Sequence, residues 1–262
     1  KKYKKKYRIV HLPYRLEKFD KIEKWVKNNN FHFFIHFAAI TSKTNKNFNK
    51  INLINKEVPI NLINLFQKKF IKNFKYFLFI SSSHVYGFHK KKILESDKRK
   101  PFNKYGNSKK NVEDFIIKNK KKFYFKIGIA RIFNFTSNKQ NYGHFVPDVY
   151  SKIKNRKNLI NLNINRDFIH IDDVVMIYKK ILPTKDTEVY DVGTGNGVRI
   201  VDIIDALKLS NKKFYDFQIK NNEMINFLKK KNFRLIKYFN KNFLGKKNYQ
   251  ADYLFINENL EN

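Results

Sequence analysis

Along the first half of the chain, short apolar runs alternate with longer stretches in which apolar and charged residues are interleaved. The runs are residues 7–12 (YRIVHL), 31–39 (FHFFIHFAA), 75–83 (KYFLFISSS) and 125–134 (FKIGIARIFN). They are rich in Ile, Val and aromatic residues, which predicts strands buried on both faces, as in a parallel sheet. Between them, residues 19–28, about 47–72 and about 105–119 have the length and mixed patterning of helices. Strand and helix in repetition predict an α/β fold with a doubly wound parallel sheet. Further along the pattern loosens into a loop and helix near residue 150, a short strand and helix in RDFIHIDDVVMIYKKIL, and a strand, Gly-rich turn and helix in EVYDVGTGNGVRIVDIIDAL. The expected organisation is a first domain over residues 1–137 and a smaller, mixed α/β lobe over 138–262.

Composition narrows the chemistry more than the fold. With 262 residues and 42% hydrophobic content, the chain is long and apolar enough to fill one large or two small cores. It contains no cysteine, so disulfides, thiolate metal sites and a cysteine nucleophile are excluded. The formal charge of +34 would suggest a polyanion partner if it were clustered, but the lysines are spread over every predicted element. No specific nucleic-acid binding is expected, only weak, salt-dependent attraction to polyanions. No uncharged apolar run reaches about 18 residues, and the basic start leads into no signal-peptide core, so no membrane insertion is expected and the chain reads as soluble and cytoplasmic.

In an open parallel sheet, ligands sit beyond the carboxyl ends of the strands. Ala38-Ala39, Ser81-Ser82-Ser83 and Phe133-Asn134 fall at such ends. Tyr105 and Lys109, four apart, share a helix face, which suits a phenolic acid/base held beside an ammonium. The spacing itself discriminates little, because Tyr14/Lys18, Tyr86/Lys90 and Tyr150/Lys154 repeat it. Context separates the Tyr105 pair: a serine cluster upstream and a strand ending in RIFN downstream.

That context resembles the extended short-chain dehydrogenases, in their nucleotide-sugar epimerase, dehydratase and reductase branch. SSSHVYG, Glu95 and Pro101 in the following loop, YGNSK with Glu113 after it, RIFN, RDFIHIDDV and YDVGTG occur in the family's order. FIHFAA is similar to its cofactor-contacting strand end, and Asn55 with Asn61-Leu62 to the helix supporting that site. The resemblance implies a Rossmann-type fold and NAD or NADP as cofactor. It further implies a nucleotide-sugar substrate, a homodimer and no metal. It implies Ser82, Tyr105 and Lys109 as the catalytic set, the ammonium lowering the phenol pKa and reaching the nicotinamide ribose. Phe37, Ala38, Ala39, Asn55, Phe133 and Arg15 would line the cofactor, with Arg15 facing a 2′-phosphate if the cofactor is NADP. Ser83, His84, Asn134 and Arg166 would meet the substrate, Asn134 and Arg166 at its diphosphate.

Two departures shape the expectation. Where the dehydratases carry an acidic pair after the catalytic hydroxyl, this chain has Ser83-His84, which disfavours dehydration, although His84 could in principle move a proton. The family's opening strand and glycine-rich pyrophosphate turn have no counterpart, and KKYKKKYRIVHL resembles the second strand. The sequence therefore reads as N-terminally truncated, with a central strand missing and unpaired backbone on both sides of the gap. Three functions stay open: an epimerase, an NADPH-dependent reductase of a keto-deoxy sugar, or a non-catalytic nucleotide-binding remnant.

Overall fold

The computed structural model describes residues 7–41, 47–68, 73–89, 91–137, 140, 144–159, 164–182, 187–210 and 253–257. In chain order the first elements are β1 (Tyr7–His11), α1 (Phe19–Lys27), β2 (Phe33–His36), α2 (Phe48–Asn52), α3 (Val58–Gln67), β3 (Tyr76–Ser82), α4 (Lys104–Asn119) and β4 (Lys126–Ile132). They continue as β5 (Asn134–Thr136), α5 (Phe145–Lys154), β6 (Asn165–His170), α6 (Ile171–Ile181), β7 (Val189–Val192), β8 (Gly197–Arg199), α7 (Ile200–Ser210) and β9 (Tyr253–Asn257). Among the described residues no helix is long and apolar enough to cross a membrane.

Two compact units emerge. The first draws on Lys1–Arg131, Lys180–Asp191 and Phe243–Asn262, the second on Ile132–Lys179 and Val192–Asn242. A six-stranded sheet in the order β1-β9-β2-β3-β4-β7 forms the frame of the first. All four residues of β2 and all seven of β3 are buried, which is why these runs show no polar alternation. The two strands pair in parallel, Phe33 beside Tyr76 and His36 beside Phe79. Helix α1 turns Ile22 and Val26 inward and its lysines outward, with Glu23 and Lys27 paired at 3.1 Å. The abundant phenylalanines form the core: Phe31, Phe34, Phe66, Phe74, Phe77 and Phe125 interlock, with Phe66 stacked on Phe74 at 4.3 Å.

Three expectations need correction. The gap beside β2 is filled by β9, which runs antiparallel to both neighbours, pairing Tyr253 with His11 on one side and with Ile35 on the other. The sheet is therefore mixed, and β1 and β2, each opposed to β9, run in the same direction. The helix expected over 47–72 is interrupted by a wide π-helical turn, Leu53–Glu57, in which the Val58 N–H reaches back to the Leu53 carbonyl; residues 69–72 lie outside the described ones. The cause is Pro59, which cannot donate to the carbonyl four residues earlier and crowds it, so the ladder widens just ahead of the ring. The run over 125–134 is two strands, β4 ending at Ile132 and β5 joining a different sheet.

The second unit holds the three-stranded sheet β5-β6-β8, with β5 and β6 parallel and β6 and β8 antiparallel. Val146, Val149, Tyr150, Phe168, Ile200 and Ile204 make its core.

Candidate active site

Helix α4 begins at Lys104 because Asn103 caps it, its Oδ1 accepting the Gly106 N–H at 2.7 Å. Gly106 is required there: a Cβ would stand 2.5 Å from the His84 carbonyl oxygen, so glycine lets the first turn press against the segment that follows β3. Tyr105, Lys109 and Glu113 then recur every four residues on the face turned to β3. Each meets a different residue of that strand. The Ser82 side chain lies close enough to the Tyr105 phenol to lower its pKa. The Lys109 ammonium donates to the Ile80 carbonyl at 2.8 Å and lies 4.7 Å from the Phe79 ring centre. The Ser81 hydroxyl donates to Glu113 Oε1 at 2.5 Å.

The structure thus separates three serines that look alike in sequence. Ser82 faces Tyr105, Ser81 is taken up by Glu113, and Ser83 opens the 3₁₀ turn Ser83–Val85, its carbonyl accepting the Tyr86 N–H at 3.1 Å. The Ser82 Oγ also accepts the His84 N–H at 3.3 Å. His84 is exposed, its ring edge-on to Tyr105 at 5.6 Å and stacked on Phe102 at 6.1 Å. Among the other tyrosines of the same spacing, Tyr14 is exposed, Tyr150 is in the second unit's core, and Tyr86 points its phenol at Asp191.

One electrostatic expectation is overturned. The Tyr105 pKa is raised, not lowered: burial of the phenol dominates, and the lowering influence comes from the Ser82 side chain. The Lys109 ammonium meets the strand carbonyl of Ile80 and the Phe79 ring.

Sequence reasoning assigned no role to the charged network behind these groups. Glu113, fully buried, accepts Arg131 through Nε at 3.1 Å and Nη2 at 2.8 Å, and Arg99 through Nη1 at 3.0 Å. Arg131 Nη1 also donates to the Tyr86 hydroxyl at 2.6 Å, and that hydroxyl donates to Asp191 at 2.8 Å. Burial pushes the Asp191 carboxyl up, opposed by Tyr86 and Arg131, and burial likewise raises Glu95. The available signal was the charge itself, a Glu on the apolar face of α4 and an Arg inside the apolar run of β4.

Beside this cluster, at the carboxyl end of β2, Asn55 pins the strand-end loop. Fully buried in the π-helical turn, it accepts the Ile40 N–H at 2.9 Å and donates to the Ile40 carbonyl at 2.8 Å. The loop so anchored at Ile40 carries Phe37, Ala38 and Ala39, of which Ala38 is buried and its neighbours half-buried. Arg15 is exposed in the turn after β1, its carbonyl accepting the Lys18 N–H at 3.0 Å. It lies beside Glu17, whose pKa is lowered first by a backbone hydrogen bond and then by Lys50 and Arg15.

Phe133, Asn134 and Arg166 belong to the second unit. The Phe133 N–H donates to the Val192 carbonyl at 3.0 Å, and Asn134 Nδ2 to the Asp167 carbonyl at 3.2 Å. Arg166 is half-buried with its guanidinium 5.1 Å from the Phe145 ring centre, and burial lowers its pKa. Next to it, the Asp167 carboxylate gathers the Thr194 N–H at 3.0 Å and the Gly195 N–H at 2.7 Å, closing the turn of YDVGTG.

Comparison with known proteins follows this geometry. A family model described as NAD dependent epimerase/dehydratase family matches residues 4–193. A curated ADP-L-glycero-D-manno-heptose-6-epimerase from Brachyspira hyodysenteriae is 26% identical over 201 residues, covering 72% of this chain. This chain spans 62% of that relative's length. UDP-glucose 4-epimerase from Thermotoga maritima, solved with UDP-glucose, superposes with a TM-score of 0.69 at 20% identity, covering 78% of this chain and 69% of that one. The Bordetella bronchiseptica enzyme WbmG, solved with NAD and UDP, superposes with a TM-score of 0.65 at 22% identity, covering 75% and 61%. Both structures share the Rossmann-like α/β fold.

Proposed function

This chain belongs to the NAD dependent epimerase/dehydratase family, and on that premise we propose that it is the larger part of a nucleotide-sugar epimerase acting at a sugar carbon that bears a hydroxyl. The observation that carries the reading is the Ser82–Tyr105 hydroxyl pair at the carboxyl end of the sheet, with Lys109 one turn further along the same helix face. The names of the curated heptose epimerase and of the glucose epimerase structure support inversion over other chemistries of the family.

The residues fit the nicotinamide and ribose end of NAD or NADP. Lys109 brings its ammonium to the strand end, Asn55 holds the Phe37–Ala39 backbone beside it, and Arg15 stands two strands away on the same edge of the sheet. Phe133 is the second unit's candidate for a nicotinamide contact. When bound, the dinucleotide supplies the hydride acceptor and donor. Ser82 donates to the sugar oxygen on which charge develops, and Tyr105 removes the hydroxyl proton and later returns it. In the first unit Ser83 and His84 flank the sugar. In the second, Asn134 and Arg166 are its candidates for holding a diphosphate, a planar guanidinium suiting phosphate oxygens. The same reading takes the second unit as the substrate lobe and the enzyme as a cytoplasmic homodimer.

A reductase is the second reading, favoured by one observation. Tyr105 is half-buried, and desolvation of its phenol raises its pKa, which favours giving a proton to a ketone over taking one. The two readings separate in one experiment on the purified chain. With NAD and UDP-glucose, ADP-heptose or a related sugar nucleotide, an epimerase inverts a stereocentre seen by proton NMR without net change in cofactor. A reductase consumes NADPH only when a keto-sugar nucleotide is present. Either activity should fall at least about a hundredfold in Tyr105→Phe. Equal activity in that variant would overturn the assignment.

A further inference from the structure

The segment joining β3 to α4 carries two exposed phenylalanines, Phe88 at 82% exposure and Phe102 at 55%. A single exposed apolar side chain is ordinary, but these two rings are stacked on one another at 4.2 Å and 24°. Their backbone is tied on both arms. The Lys100 N–H donates to the Tyr86 carbonyl at 3.4 Å, and a Cβ on Gly87 would run into the Lys100 carbonyl, so a glycine with φ of 81° lets the arms meet there. Arg99 holds the returning arm to α4, its Nη1 3.0 Å from Glu113 Oε2 and its Nη2 2.7 Å from Asp114 Oδ1. Pro101 lies against Gly106, and Asn103 caps the helix at 2.7 Å. Phe102 stands between these last two anchors, so the pair is presented to solvent on a preorganised support. Phe48, another exposed ring, differs in being covered by the Lys104 ammonium at 4.5 Å.

The pair is continuous with the candidate site of the same unit. The His84 ring lies edge-on to Tyr105 at 5.6 Å and stacked on Phe102 at 6.1 Å. Rings therefore run outward from the phenol in the order Tyr105, His84, Phe102, Phe88, in steps comparable to the width of one sugar ring. A sugar whose reacting hydroxyl meets Tyr105 and extends this way passes His84 and then reaches bare aromatic surface. We propose that Phe88 and Phe102 form a specificity-determining platform for the exocyclic carbon of the sugar, favouring a nucleotide sugar that carries a methyl group there over one that carries a hydroxymethyl group. The inference rests on the nucleotide-sugar reading for the identity of the occupant. A methyl laid on a phenyl face takes apolar surface of both groups out of water. A hydroxyl in the same place gives up a hydrogen bond to water, and a phenyl ring has no donor or acceptor to replace it.

The test compares UDP-6-deoxyglucose with UDP-glucose, and the same two sugars as ADP derivatives, on the purified chain with NAD. Each pair differs only in methyl against hydroxymethyl. The parent should favour the deoxy sugar about tenfold in kcat/KM, the low end of what such a difference delivers in an apolar site, and Phe88→Ser/Phe102→Ser should reduce the preference to about twofold or less. Both side chains are exposed, so the double variant should melt with the parent. A second readout needs neither turnover nor a variant: ring currents should move the C6 methyl protons of the bound deoxy sugar upfield in proton NMR. An unchanged preference in the variant, or a methyl resonance that does not move on binding, overturns the inference. So does a fall in sedimentation mass in Phe88→Asp at unchanged preference, which would assign the pair to contact between copies of the chain. Failure of all four sugar nucleotides to bind the parent would overturn the proposed function, and the platform with it.

Discussion

Ser81 gives its hydroxyl to the buried Glu113 carboxylate, whereas the next hydroxyl along β3, that of Ser82, meets the Tyr105 phenol. Removing them should therefore do different damage. Ser81→Ala takes a donor from a buried charge and should cost about 1–3 kcal/mol of stability, measured by denaturant unfolding, while leaving kcat close to the parent. Ser82→Ala should spare stability and lower kcat on the order of a hundredfold or more. Equal kinetic losses in the two would refute the division. The phenol should titrate above the ordinary tyrosine value of 10.0, because burial penalises the phenolate. Ser82→Ala removes the neighbouring hydroxyl that lowers it and should move it higher still, read as the difference in phenolate absorbance from Tyr105→Phe. The sign for stability follows. A folded state that holds this proton more tightly than the unfolded chain loses that contribution as pH climbs from the ordinary phenol range through the raised value. This direction was not legible in the sequence. Tyr-x-x-x-Lys states which groups share a face, but not that the ammonium turns to the Ile80 carbonyl while the phenol is enclosed.

The strand and helix forming the cluster were more legible than their join. Runs such as YFLFISS are too apolar for any half-exposed element, and Asn103 ahead of a lysine-rich amphipathic stretch marks a helix start. What the pattern did not convey is how hard α4 presses on the 83–85 turn, since one missing Cβ at Gly106 sets the distance. The π-helical turn was equally hidden, although its cause, Pro59, was in view. Its product is the inward placement of Asn55 against Ile40. Asn55→Ala should leave a buried N–H and C=O unpaired, costing about 1–3 kcal/mol for each group. If the Phe37–Ala39 backbone borders the dinucleotide, the same change should weaken NAD binding in titration calorimetry more than it slows the chemistry. Unchanged affinity would place the cofactor elsewhere.

At the scale of the whole molecule, local patterning gives way to pairings between distant residues. The five residues of β9 follow a long stretch of Lys, Asn and Phe much like the rest of the chain, and nothing local distinguishes YLFIN as the strand that enters the sheet between β1 and β2. A polypeptide ending at residue 252 should leave the facing edges of β1 and β2 unpaired. On the side of the fully buried β2, each orphan group that stays out of water costs about 1–3 kcal/mol against a total stability of about 5–15, so the shortened chain should melt at a lower temperature. A melting curve indistinguishable from that of the full chain would show that β9 contributes nothing. The same pairing governs the order of events during synthesis. Since Tyr7 aligns with Asn257, β1 must wait for a segment far downstream of it to leave the ribosome before this part of the sheet can close. Until then β1 is an open strand edge in a chain rich in phenylalanine, a nascent state for which chaperones that hold exposed apolar segments would matter more than any later defect in the folded protein.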